Sequence, residues 1–211
     1  MNAMSPSLAA ADWLSRLVQL EPPAGPLTAL VYDEGFAIGE VFRALASRAR
    51  GAGLRLGGVI EREAPPAAPG KRCDMALEEL ASGEIIRISE DRGALARGCR
   101  LDLDGLARAC ALVLSSLKQC DLILLNKYGK SEAEGGGFRC IVSDALALEV
   151  PVVIGVPRRN FAAWRDYAGA FSIDHDLGAV AKTAFPCASA KQAERRALCS
   201  PANGCKENRG Q

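Results

Sequence analysis

From residue 27 onward, apolar positions alternate between two rhythms. "LTALVY" (27–32), "LRLGGVIE" (54–61), "CDLILLN" (120–126) and "PVVIGV" (151–156) are short apolar runs bounded by glycine, proline or charge, as strands are. Between them, Val41, Phe42, Leu45 and Ala49 recur at helical spacing, as do Leu106, Cys110, Val113, Leu114 and Leu117. Asp102 or Asp104 is placed to cap the second of these helices, and Gly51 and Gly53 to end the first. "FRCIVSDALALE" and "NFAAWRDYAG" read as further helices, "DLGAVAKTA" as a weaker one, and "AFSI" as a short strand. The nearly all-apolar "CDLILLN" predicts a central strand covered on both faces. This alternation predicts an α/β fold with three α/β/α layers and a largely parallel sheet.

Three segments break the rhythm. "CDMALEEL" and "EIIRIS", joined through "ASG" with its Gly83, predict an inserted β-hairpin. Residues 1–26 hold an amphipathic stretch, "AADWLSRLVQL", followed by the helix-stopping linker "EPPAGP". Residues 185–211 lose the periodicity and are expected to form a disordered, cysteine-containing tail, leaving 27–184 as the α/β domain.

Composition narrows the classes. With 211 residues, 49% hydrophobic and 24% charged, the chain suits one globular domain. A formal charge of +1 supplies no general field for nucleic acid or an anionic membrane, so electrostatic recognition must be local. No apolar stretch reaches the roughly 20 residues of a membrane span and no leader pattern opens the chain, so the expected location is the cytoplasm. The eight cysteines show no CxxC pair and are expected as free thiols. Cys73 and Cys99 flank the hairpin and, paired in space, would suit a soft metal or a redox switch; small buried residues are the plainer reading. Cys110, Cys120 and Cys140 read as ordinary packing. His175 is the one imidazole, and Trp164 and Tyr167 share helical spacing with Phe161 as core residues do.

In an open parallel sheet, ligands sit beyond the carboxyl ends of the strands, which directs attention to three loops. "DEGFAIGEV" (33–41) lies where a strand hands over to a helix, a natural place for an anion. A phosphate-binding GxxxxGK[ST] needs a lysine and a hydroxyl; here Gly35 and Gly39 are spaced one residue too closely, and Glu40 and Val41 follow. "LLNKYGKSEAEGGG" (124–137) puts Asn126 and Lys127 where a nucleotide hydrolase needs carboxylates for Mg²⁺ and water. Arg158, Arg159 and Asn160 follow the last long strand. A simple βα turn also accounts for the glycines, and pairing with Glu132 and Glu134 for the cations.

The stretch "NKYGKSE" resembles the thermophile-type nucleoside-triphosphatase family, matching it at Gly129, Lys130 and Glu132 and departing from it at the acidic pair. The likeness extends weakly over residues 27 to 175. "CDMALEELASG", "ISEDRG", "GCRLD", "NKYGKSEAEGGGFR" and "PVVIGV" together resemble the bacterial family called domain of unknown function 2478. That resemblance implies a degenerate P-loop NTPase-like fold and, through the family's association with molybdate-transport genes, a link to molybdate homeostasis.

The expected function is an accessory or regulatory protein that binds a nucleotide or oxyanion and hydrolyses it poorly or not at all. Its expected ligand-binding residues are Gly35, Gly39, Lys127, Gly129, Lys130, Glu132, Gly135, Arg158 and Arg159, with Mg²⁺-nucleotide or molybdate as the ligand. No catalytic residue and no metal ligand is assigned. Two alternatives remain: a slow nucleoside triphosphatase using Glu132 or Asp33, and an adaptor that docks a protein partner through its N-terminal segment and holds no small ligand.

Overall fold

A computed structural model of the chain describes residues 26–63, 75–90 and 100–178. The first strand, β1 (Leu27–Tyr32), leads through a short loop into α1 (Ile38–Gly51) and then β2 (Leu56–Glu63). A hairpin follows, β3 (Met75–Glu79) and β4 (Ile85–Arg87), and then a small separate pair, β5 (Ser89–Glu90) with β6 (Arg100–Leu101). The second half comprises α2 (Leu103–Ser116), β7 (Leu122–Leu125), the short α3 (Lys130–Ala133), α4 (Arg139–Ala147), β8 (Val152–Pro157), α5 (Phe161–Ala168) and β9 (Ser172–Asp176).

Seven strands form the main sheet in the order β4-β3-β2-β7-β8-β1-β9. β2, β7, β8, β1 and β9 run parallel to their neighbours, and the hairpin continues the sheet antiparallel beyond β2. The expected largely parallel α/β sheet and its inserted hairpin are therefore present.

Side-chain parity divides the core between the two faces, because alternate strand residues point to opposite sides. On β1, Leu27, Ala29 and Val31 join a cluster with α2, α4 and α5, while Leu30 and Tyr32 join one with α1. On β7, Ile123 and Leu125 take the first side and Leu124 the second. To the second cluster α1 contributes Ile38, Val41, Phe42 and Ala46, and Leu177, in the helical turn after β9, joins them.

Local polar contacts set the edges. Asp102 caps α2, its carboxylate accepting from the amides of Asp104 and Gly105. The buried carboxylate of Glu79 accepts from the amides of Ala81 and Ser82 and the Ser82 hydroxyl, closing the hairpin turn. The acidic pair in "CDMALEEL" is thus explained by the turn and by Glu78, which pairs with Arg62 at 2.6 Å.

Asp121 and Arg55 hold the first residues of β7 and β2 side by side. The Asp121 amide donates to the Arg55 carbonyl at 2.8 Å, and the Arg55 amide and guanidinium donate back to the carboxylate at 2.7 to 3.0 Å. The side-chain and backbone hydrogen bonds from Arg55 hold the Asp121 carboxyl down at about 2. A folded-state value below the unfolded one makes this contribution fully present above about pH 4 and lost as pH falls towards 2. Asp121→Asn should therefore flatten part of the fall in thermal midpoint between pH 4 and 2, which midpoints recorded at matched ionic strength will show.

The structure departs from the sequence reading in places. β9 spans Ser172–Asp176, so His175 lies within the strand, opposite Leu30, and not after it; Phe171, expected in the strand, is exposed. "FRCIVSDALALE" yields a helix only over Arg139–Ala147, with Phe138 as its cap, and α3 before it was not anticipated. The N-terminal segment, Cys73, Cys99, the last part of "DLGAVAKTA" and the tail lie outside the described residues.

Candidate ligand cleft

A cleft of 330 Å³ opens at the carboxyl ends of β1 and β8, where strand order places the first and penultimate long strands together. That is the expected location for a ligand in an open parallel sheet. The β1–α1 loop supplies Glu34, Gly35, Phe36, Ala37 and Gly39 along one wall. Tyr32 and Glu61 come from β1 and β2, Lys127 follows β7, and Pro157, Arg158 and Arg159 close the other side.

The cations in this cleft are not equivalent. Arg158 donates to Asp33 and, at 2.6 Å, to Asp176, bridging the ends of β1 and β9. These two carboxylates push its guanidinium further toward the charged form and satisfy it. Lys127 stands 3.4 Å from Glu61, a long and partly exposed pair. Arg159 makes no ion pair among the described residues and lies near Tyr32, whose phenol is pushed up by burial, then by Glu61, against the pull of Arg159. Tyr32 consequently remains a protonated donor at the cleft wall.

Of the nine residues expected to bind a ligand, Gly35, Gly39, Lys127, Arg158 and Arg159 line the cleft, whereas Gly129, Lys130, Glu132 and Gly135 do not. Lys130 is exposed and pairs with Glu134 one turn along α3 at 3.6 Å. Glu132 turns inward: it is buried, and its carboxylate accepts from the amides of Gly129 at 2.8 Å and Phe138 at 3.0 Å. It organises the loop from within, which explains why an acidic residue stands in the apolar underside of "GKSEAEGGGF".

Beneath the cleft wall, Asn126, the residue after β7, is buried. Among the described residues, neither its amide nitrogen nor its carbonyl oxygen has a hydrogen-bond partner. The nitrogen lies 4.0 Å from where a Cβ on Gly39 would stand, and the oxygen 3.6 Å from the same point on Gly155. The side chain is thus wedged between the first turn of α1 and β8.

Tyr128 and Trp164 are fully buried, and with Tyr167 they form an aromatic cluster; the Tyr128–Trp164 ring centroids are 5.1 Å apart. The Asn160 side-chain amide donates to the Tyr128 carbonyl at 2.9 Å, tying the loop after β8 to the loop after β7. Tyr32, Phe36 and Glu61 were missed as cleft residues. The one signal that could have found Glu61 is a carboxylate within the otherwise apolar "GGVIE".

The solution structure of a human cancer-related nucleoside triphosphatase superposes with a TM-score of 0.52 at 14% identity, covering 84% of this chain and all of that one, so the fold is P-loop NTPase-like. AMPPCP-bound DnaA from Aquifex aeolicus gives a TM-score of 0.40 at 12% identity, over 84% of this chain and 48% of that one. In sequence, 121 residues are 37% identical to the molybdenum import ATP-binding protein ModC 2 of Bradyrhizobium diazoefficiens; the match takes in 56% of this chain but only 13% of that protein. No described helix is long and apolar enough to cross a membrane. The model of the family described as "Protein of unknown function (DUF2478)" matches residues 27–181, and the chain belongs to that family.

Proposed function

We propose that this protein binds a nucleotide or a tetrahedral oxyanion in the cleft at the ends of β1 and β8 without efficient turnover, as an accessory or regulatory component in the cytoplasm. The observation that carries this reading is the cleft wall itself: the β1–α1 loop with Gly35 and Gly39 faces Lys127 and Arg159 across a cavity in the lower part of the range of ligand sites. The charge inventory favours a small oxyanion or a single phosphate over a Mg²⁺-triphosphate. Arg158 is already matched by two carboxylates and Lys127 by one, and among the described residues of the cleft Arg159 is the cation without an ion pair.

Magnesium-dependent hydrolysis fits the residues poorly. Where a carboxylate would hold the hydrated ion, Asn126 offers a buried neutral amide, and Lys127 an ammonium. Asp33 is engaged by Arg158, and Glu132 by two backbone amides. The molybdate connection rests on the similarity to a molybdenum import ATP-binding protein, and we assign the accessory role to molybdate homeostasis on that ground.

Thermal unfolding with Mg²⁺-nucleotides, molybdate, tungstate or phosphate at matched ionic strength tests the reading. A ligand at about 100 times its dissociation constant adds about 2.7 kcal/mol, raising the midpoint by roughly 5 to 10 °C. One ligand class should give this shift, and Arg159→Ala should weaken binding about tenfold or more without lowering the midpoint of the ligand-free protein. Magnesium-dependent phosphate release would instead establish a slow triphosphatase. No shift from any ligand would favour a protein-docking role, to be checked by partner capture with and without residues 1–26.

A further inference from the structure

Two cysteines that the sequence separates by 30 positions meet at one backbone oxygen. Cys110 is on α2 and Cys140 in the first turn of α4, and their sulfurs lie 3.6 Å and 3.8 Å from the carbonyl oxygen of Gly137. The two helices pack on the same face of the sheet. The environments differ: Cys140 is exposed and Cys110 half-buried. Cys120, by contrast, is buried and donates to the Ser116 carbonyl at 3.3 Å.

We propose that Cys110 and Cys140 form an oxidation site, in which hydrogen peroxide converts the pair to a disulfide joining α2 to α4. Exposure assigns the roles. Cys140, open to solvent, meets the oxidant: its thiolate attacks one peroxide oxygen, the O–O bond breaks, and a sulfenic acid forms as hydroxide leaves. The Cys110 sulfur then attacks the Cys140 sulfur, the S–O bond breaks, and the Cys110 proton departs with the hydroxyl as water. The two sulfurs together lose two electrons, and the peroxide ends as two water molecules.

Cys110 is suited to the second role only. Burial, then the neighbouring Cys140 and Glu132, pushes its thiol up to about 12, so it supplies almost no free thiolate to an oxidant at neutral pH. Once Cys140 is a neutral sulfenic acid its charge no longer opposes ionisation of Cys110, and the thiolate fraction that then forms attacks a sulfur held close by. Glu132 and Gly137 also belong to the loop that starts at Lys127 on the cleft wall, so the crosslink would fasten the far end of that loop to α2.

Peptide mapping of the full-length protein after brief hydrogen peroxide treatment and alkylation tests this directly. Trypsin places Cys110 in residues 109–118, Cys120 in 119–127 and Cys140 in 140–158, so the three thiols separate. The expected product is a linked pair of 109–118 with 140–158, absent in Cys110→Ser and Cys140→Ser and reversed by a thiol reductant. Cys140→Ser should leave Cys110 unoxidised, whereas Cys110→Ser should carry Cys140 on to sulfinic acid. The oxidised wild-type protein should unfold several degrees higher than the reduced one, because the link restricts the unfolded chain. Oxidation of Cys140 to sulfinic or sulfonic acid in the wild-type protein, with no linked pair, overturns the proposal, as does a link from Cys140 to any other cysteine.

Discussion

Gly58→Ala is expected to cost about 3–4 kcal/mol, from the strain of a side chain at positive φ added to that of a forced contact. Gly58 lies in β2, paired with Leu124 of β7, at a φ of +95°. A Cβ there would overlap the Leu124 carbonyl oxygen, well inside van der Waals contact distance, with that residue's carbonyl carbon and nitrogen also crowded at 2.9 Å. Backbone of a central strand cannot yield as a flexible side chain does, so β2 and β7 must separate. Against a total stability of roughly 5–15 kcal/mol this is a large fraction. The thermal midpoint should fall by about 10 °C, and the urea midpoint should fall at unchanged slope. Gly51→Ala, with open space around its Cβ position at the end of α1, serves as the control and should remain within about 0.5 kcal/mol of the wild type. A Gly58→Ala protein as stable as that control would refute the packing argument.

Glu132→Ala should cost about 2–4 kcal/mol, because it leaves the amides of Gly129 and Phe138 unpaired in a buried place. Glu132→Gln should cost less: it keeps one acceptor but turns an NH₂ group toward the other donor. Gly137→Ala should resemble Glu132→Ala, since its Cβ would overlap the carboxylate. Chemical denaturation of the three variants measures these effects. The same set separates structure from catalysis. If Glu132 organises the loop, Glu132→Gln loses stability and has no phosphate-release activity to lose. If it is a catalytic base, Glu132→Gln retains stability and loses turnover.

The parts of this molecule that were legible in its sequence are those with a period. "LILL" reads as a central strand because β7 lies between β2 and β8 and every residue from Ile123 to Leu125 is enclosed. Lys127 and Arg159 could be nominated for the cleft because each follows a strand, and strand ends converge on one edge. Arg158 carries the same signal, yet its engagement with Asp33 and Asp176 depends on β1 standing between β8 and β9, and strand order leaves no trace in local pattern. Glu132 was nominated as a ligand contact for a related reason. A polar residue in a glycine-rich loop looks solvent-facing until the curl that turns it onto the Gly129 and Phe138 amides is known. Cys110 and Cys140 illustrate the general difficulty: each fits its own helix as a small packing residue, and only the packing of α2 and α4 makes them neighbours.

The direct passage from the cleft loop into α1 bears on how the molecule breathes. The loop that walls the cleft runs directly into α1, whose Ile38, Val41, Phe42 and Ala46 pack on the cluster of Leu30, Leu56, Ile60 and Leu124. Partial opening of that helix would therefore loosen the cleft and wet this side of the core in one event, as a cooperative unit smaller than global unfolding. An occupant of the cleft would slow amide exchange on this side of the sheet, far from its own contacts, and leave the side under α2, α4 and α5 largely unchanged.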